Sequence, residues 1–197
     1  MENKVIEFVG MPGSGKTFWA TSNQYPSSAF TYLEVSGRER FVLTFQFFIS
    51  KPFLFCKLVY LLIKNSKKDL SLIKHKIFFL LFFACALEIK SKKLPNPLID
   101  QGLLQVFLCM YDQAVSLERI HNDFELIRKE LTMRTIVFVE ASQNVRMKRI
   151  DSRKRMPRSN FGSTYVESFL AAVASNYPTI KSCIAETFPS KTINGEG

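Results

Sequence analysis

Two kinds of apolar run alternate along this chain. Short runs rich in β-formers occupy residues 4–9, 29–34, 98–100, 134–140 and 190–193, and turn residues or a charged group close most of them. Between them lie longer stretches whose apolar positions recur at helical spacing. The first begins near Gly15 and runs to about residue 23. From residue 38 to about 93 the main breaks are Ser50-Lys51-Pro52 and Asn65-Ser66-Lys67-Lys68, which predicts two or three apolar helices with lysines at their ends. Leu94-Pro95-Asn96-Pro97 closes that block, and helices are predicted over 103–111, 112–131, 143–150, 164–175 and 179–186. Ser142 suits an N-cap, and Thr164 with Glu167 suits a capping box. Strands alternating with helices predict an α/β fold with a mostly parallel sheet, as one domain over residues 1–197.

Composition narrows the class. With 47% hydrophobic and 22% charged residues the chain has a globular profile. Lys and Arg outnumber acids 27 to 17, for a formal charge of +10, which favours an anionic partner without choosing one. The cysteines Cys56, Cys85, Cys109 and Cys183 lie far apart in apolar surroundings and form no CxxC, so they read as buried thiols in a reducing compartment. His75, between Lys74 and Lys76, and His121, in a charged helix, read as solvated, and no metal cluster is expected from them. The first apolar run is too short for a secretory signal. Residues 41–63 are interrupted by Lys51, Pro52 and Lys57, and 77–87 falls short of the about 20 residues a spanning helix needs. These segments are expected to be buried helices of a cytoplasmic protein.

The strongest chemical signal is Gly10-Met11-Pro12-Gly13-Ser14-Gly15-Lys16-Thr17, which fits G-x-x-x-x-G-K-[ST] directly after the first strand. Glycines let the backbone fold around an anion and turn its N–H groups inward. The helix opening at Gly15 adds its positive end. Lys16 is placed for the β and γ phosphates of a nucleotide, and the Thr17 hydroxyl for Mg²⁺. A second carboxylate is needed at the end of a neighbouring strand, and Asp100 is the candidate; the same position also suits a cap for a helix opening at Gly102. Glu34, at the end of the second strand, stands with Arg38 and Arg40 where an acceptor would bind, or in a solvated charged turn. Arg146, Arg149 and Arg153 share one helical face at i, i+3 and i+7, an arrangement suited to a transferring phosphate or to a plain basic surface.

On these residues the chain resembles the adenylate kinase and thymidylate kinase group of P-loop kinases. Four places carry the likeness: the loop from Gly10 to Thr17, the strand ending in Glu34, Asp100-Gln101-Gly102, and Arg149-Ile150-Asp151-Ser152-Arg153. The resemblance implies a three-layer P-loop fold with sheet order 2-3-1-4-5. It also implies a helical acceptor block at about 38–93 and a mobile lid at about 153–162. It would place Arg149 at the adenine, Arg153 at the transferring phosphate, and the turn at Gly195 against the base. Two departures stand out. Gln101 replaces the arginine of the family's Asp-Arg pair, and the acceptor block carries none of the group's monophosphate motifs.

The expected function is an ATP- and Mg²⁺-dependent kinase of a small-molecule acceptor (nucleotide, nucleoside or sugar). In it Lys16, Arg153, Asp100 and Glu34 are catalytic, and Thr17 and Asp100 hold the metal. Gly10, Pro12, Gly13, Ser14, Gly15, Lys16, Thr17, Arg149 and Arg153 hold the nucleotide. Two alternatives remain open: a P-loop ATPase or switch acting on nucleic acid or protein, and a membrane-peripheral kinase of a lipid-linked acceptor. For the second, the lysines flanking residues 41–87 suit an anionic bilayer. Nucleic acid is the less favoured partner, because no glutamate adjoins Asp100 and no helicase-like motif follows.

Overall fold

The computed structural model describes residues 5–22, 30–67, 69–152 and 158–196. Its strands are β1 (Ile6–Val9), β2 (Thr31–Tyr32), β3 (Pro97–Ile99), β4 (Thr135–Glu140) and β5 (Ser190–Asn194). They form one five-stranded sheet in the order β2-β3-β1-β4-β5, and every pairing is parallel. β1 is central and fully buried, as a strand covered on both faces must be. The register sets Val9 beside Phe138, and Val139 beside Ile193, so the carboxyl ends of three strands meet where the glycine loop begins.

Both faces of the sheet are covered, which makes three layers. Ile136 and Phe138 on β4 point into the larger core, and Val137 and Val139 point the other way, toward Ala20 and Trp19 of α1 (Lys16–Thr21). The larger core holds α2 (Gly37–Ser50), α3 (Pro52–Asn65), α6 (Leu103–Cys109), α7 (Leu117–Arg128) and α9 (Ser163–Thr187). Between them α4 (Leu70–Lys76) continues through a π-turn at Ile77–Leu81 into α5 (Phe82–Ser91). α8 (Gln143–Asp151) follows β4.

Several elements differ from the sequence expectation. Leu70–Ser91 is one helix of 22 residues whose most apolar 18-residue stretch has mean hydropathy 1.9, long and apolar enough to cross a membrane, because the π-turn joins two segments that Lys74 and Lys76 divide in the sequence. The apolar block is also far from fully buried: Phe45 and Ile49 are each 63% exposed and Phe53 is 77% exposed. Cys56 is exposed, while the other three cysteines are buried as expected. The two helices predicted around Pro178 are a single α9. Proline there removes one backbone bond, yet the buried side chains Val173, Tyr177, Ile180 and Ile184 run straight across it. Asn176 fastens the same face to Gln113 O and Val115 N. Gly162, not a Thr164–Glu167 box, caps α9, and Ser142 occupies the N-cap of α8 without a side-chain bond. α7 starts five residues later than expected, after Ser116, because Asp112 is drawn inward to pair with Lys76 at 2.8 Å. Neither histidine is simply solvated: His75 stacks on Phe79, and His121 Nδ1 lies 3.7 Å from Cys183 Sγ.

Candidate active site

The glycine loop takes its course for steric reasons. Gly13 and Gly15 hold φ of +82° and +98°, a region L side chains rarely adopt. A Cβ on Gly10 would sit 2.4 Å from Val139 O, and one on Gly13 2.6 Å from Arg146 O. Ser14 N donates to Met11 O at 3.1 Å and tightens the turn. Lys16 Nζ lies along the loop, donating to Gly10 O at 2.8 Å and Met11 O at 3.2 Å. Ser14 Oγ is buried without a hydrogen-bond partner, an orphan that a bound oxyanion would satisfy.

The structure brings the second carboxylate to the loop. Thr17 Oγ1 donates to Asp100 Oδ2 at 2.7 Å, and Asp100, just past β3, is only 2% exposed. Gly102 caps α6 without a side-chain bond, so Asp100 does not serve as the cap. Tyr32 on β2 lies beside it; burial first, then the Asp100 charge, pushes the phenol pKa well up. Glu34 lies two residues beyond the end of β2 and is exposed. Its backbone oxygen accepts from Lys90 Nζ at 2.6 Å, and its charge also reaches Tyr32, but it does not line the cavity at the loop. Arg38 is exposed, and Arg40 faces a different cavity.

That first cavity, of about 600 Å³, has two unlike halves. Pro12, Gly13, Gly15, Lys16, Thr17 and Arg149 form the loop side, while Gln101, Gln105, Leu80 and Val106 form much of the other. Gln105 was missed in the sequence reading, although a lone amide within Leu-Leu-Gln-Val-Phe-Leu-Cys was a signal for it. Its Oε1 accepts from Gly10 N at 3.2 Å and its Nε2 donates to Cys109 Sγ at 3.1 Å, so it ties the acceptor half to the loop. A buried ionic network sets its height. Glu7 on β1 accepts from Leu104 N and Gln105 N, and Arg134 bridges Glu7 at 2.7 Å to Glu88 at 2.8 Å.

The arginines of the expected stripe part company. Arg149 Nη1 donates to Gly195 O at 2.6 Å and to Ser14 O at 3.3 Å, clamping the turn after β5 onto the loop. Gly195 packs so closely that a Cβ there would lie 2.1 Å from Ser14 O. Arg146, on the adjoining turn of α8, is 7% exposed with its Nε buried and unpartnered. Burial lowers its pKa, and the nearby Tyr177 only partly offsets this. It does not line the cavity. Arg153 lies outside the described residues, as does half of the expected lid, residues 153–157.

The fold has counterparts among solved structures. Deoxyadenosine kinase from M. mycoides with bound dATP superposes at a TM-score of 0.56 with 18% identity, covering 98% of this chain and 92% of that one. The same enzyme with the products dCMP and a flexible dCDP superposes at 0.54 with 17% identity, covering 98% and 91%. The likeness is that of the three-layer α/β P-loop fold. No protein-family model matches the sequence, and no curated protein does.

The residues present fit a nucleotide and its metal. A glycine loop with two left-handed residues, an orphaned serine hydroxyl and an ammonium group suit the phosphates. A threonine hydroxyl held on a carboxylate is an all-oxygen donor set suited to Mg²⁺, which takes few protein ligands and keeps several waters. Among the described residues no group of three His, Cys, Asp or Glu forms another metal site.

Proposed function

We propose that this protein is an ATP-dependent kinase that transfers the γ-phosphate to a hydroxyl of a small neutral acceptor. The observation that carries the reading is the Thr17–Asp100 contact next to Lys16, because Thr17 and Lys16 share one cavity with the amides Gln101 and Gln105 and with apolar side chains. Among the described lining residues the cations are Lys16 and Arg149, and both stand on the loop side. Gln101 stands where the resembled group has arginine, so the acceptor half offers amide hydrogen bonds rather than a partner for a second phosphate. A nucleoside is the first acceptor to try, given the neighbour's name, and sugars follow.

The chain's residues divide the work. The loop amides and Lys16 hold the β and γ phosphates, and Arg149 fixes the Gly195 turn beside the base. Thr17 would ligate Mg²⁺ with Asp100 behind it; the ion, when bound, neutralises phosphate charge. Gln101 and Gln105 orient the acceptor so that its hydroxyl oxygen bonds to the γ-phosphorus as the bond to the departing ADP oxygen breaks. The hydroxyl proton passes to a carboxylate. We assign this role to Asp100, which is bonded to the lining residue Thr17, while Glu34 would reach the acceptor only with its turn drawn inward. Arg153, on the segment after α8, is assigned to the transferring phosphate by resemblance alone.

Labelled ATP incubated with pools of nucleosides, nucleotides and sugars should yield a labelled product that Lys16→Ala does not form. Undiminished transfer by that variant overturns the assignment, and absence of any Mg²⁺-dependent nucleotide affinity overturns the function as a whole.

A further inference from the structure

A second cavity, of about 730 Å³, lies away from the loop between α2, the α4–π segment and Phe161. Its volume is in the range of small-molecule sites. Aromatic rings dominate its wall. His75 stacks on Phe79 with centroids 4.7 Å apart and planes 29° apart, and the edge of Phe161 meets His75 at 5.3 Å. Phe41 and Phe78 add a further tilted pair at 6.4 Å. Phe79 nevertheless stays 58% exposed and Phe41 55%, so part of each ring is left for an added ring to pack against.

Two cations accompany these rings without carboxylate partners among the described residues. Arg40 donates weakly to Phe78 O at 3.4 Å, lies 5.8 Å from the Phe79 centroid, and keeps a buried Nε with no partner. Lys74 lines the same space and is exposed. The nearby acid, Asp69, uses its Oδ1 to cap α4 through Ser71 N and Leu72 N. Asp69 also lines the cavity, so its wall joins partly exposed aromatic rings to two cations against one carboxylate, a net positive charge that suits one kind of guest.

We infer that this cavity binds a small planar aromatic molecule carrying one anionic group, with the ring against Phe79 and the anion at Arg40 and Lys74. The site is separate from the loop cavity but shares its backbone: within Ile77–Leu81, Phe78 and Phe79 line this pocket and Leu80 lines the other. The inference does not rest on the kinase reading.

The test is fluorescence titration with 8-anilinonaphthalene-1-sulfonate and with its uncharged analogue N-phenyl-1-naphthylamine, each in saturating magnesium tripolyphosphate, which carries no ring, to block the loop. The sulfonate should bind saturably, and about tenfold more tightly than the neutral probe, the factor expected for one charge-assisted contact. The double substitution Arg40→Met with Lys74→Met should abolish that preference and leave the neutral probe unaffected. Phe79→Ala, an exposed change that leaves the core untouched, should weaken both probes. Wild-type sulfonate affinity in the double variant overturns the inference, as does non-saturating binding that tracks only exposed apolar surface. A sulfonate signal that is present without tripolyphosphate and lost when it is added also overturns it, because the probe would then have been in the loop.

Discussion

Replacing Arg134 with methionine removes the cation beneath the loop while keeping a side chain of similar length. Arg134 touches Glu7 at 2.7 Å and Glu88 at 2.8 Å, and the three side chains are 1%, 0% and 3% exposed. Removing one partner of a buried ion pair costs about 3–5 kcal/mol, because the remaining charge is stranded. Two carboxylates depend on Arg134, and only Glu88 retains a second cation, Lys51 at 3.8 Å. A loss of about 3–5 kcal/mol should lower the melting temperature by about 6–20 °C for a chain of this size. The pH dependence identifies the cause. In the native protein, burial raises the Glu7 carboxyl although Arg134 opposes it; at Glu88 burial is outweighed by Arg134 and Lys51, and the carboxyl is lowered. Without Arg134, burial raises both. The folded variant then keeps protons that the unfolded chain releases above about pH 4.3, so its stability falls as pH rises. The deficit should be largest at pH 7–8 and shrink toward pH 5, as read by thermal unfolding under circular dichroism at each pH. A deficit below about 1 kcal/mol, or one that is flat across this window, refutes the reasoning.

Gly195→Ala should push the β5 turn off Ser14 O, which a Cβ would approach to 2.1 Å, and raise the nucleotide Kd about tenfold or more by calorimetry; unchanged affinity would mean that the Arg149 clamp is not part of the binding site. Asp100→Asn keeps the shape beside Thr17 but removes the charge, and should lower kcat about 10²- to 10³-fold while raising the Mg²⁺ requirement; a normal metal titration would remove Asp100 from the metal's surroundings. Burial pulls the Lys76 ammonium down to about 8, with Asp112 opposing, so from pH 8 to about 10.4 the folded chain has released a proton the unfolded chain keeps. Stability from this group therefore rises with pH across that window. Lys76→Met should flatten the slope in urea unfolding at pH 8, 9 and 10, and an unchanged slope would place the titration elsewhere.

Local signals made the loop legible. Gly10, Gly13, Gly15, Lys16 and Thr17 act through backbone conformation and near-neighbour contacts, and Asp100 could be placed because a short strand must end beside the loop in a parallel sheet. The sheet order was also anticipated, through the resemblance those residues carry. Gln105 was not, since its bond to Gly10 N spans 95 residues and depends on the height of α6. The Glu7–Arg134–Glu88 network was equally hidden. Each member reads as an ordinary strand or helix charge, and the contacts between them join residues 127 and 46 positions apart. Pro178 misled because local backbone preference argued for a break that long-range burial of α9 overrides.

By itself, then, the sequence determined the phosphate-gripping loop and the alternation of strands with helices, because both follow from glycine stereochemistry and apolar periodicity over a few neighbouring residues. Only the tertiary structure decided which phenylalanines are core and which stay open on α2 and α3, and which amides face Thr17 across the cavity. It alone gathered buried charges under β1 and set aromatic rings and cations around a second cavity. Those outcomes depend on how helices far apart in the chain pack against one sheet. Packing selects among faces that look alike in sequence, where a phenylalanine reads the same whether its neighbour is leucine or water.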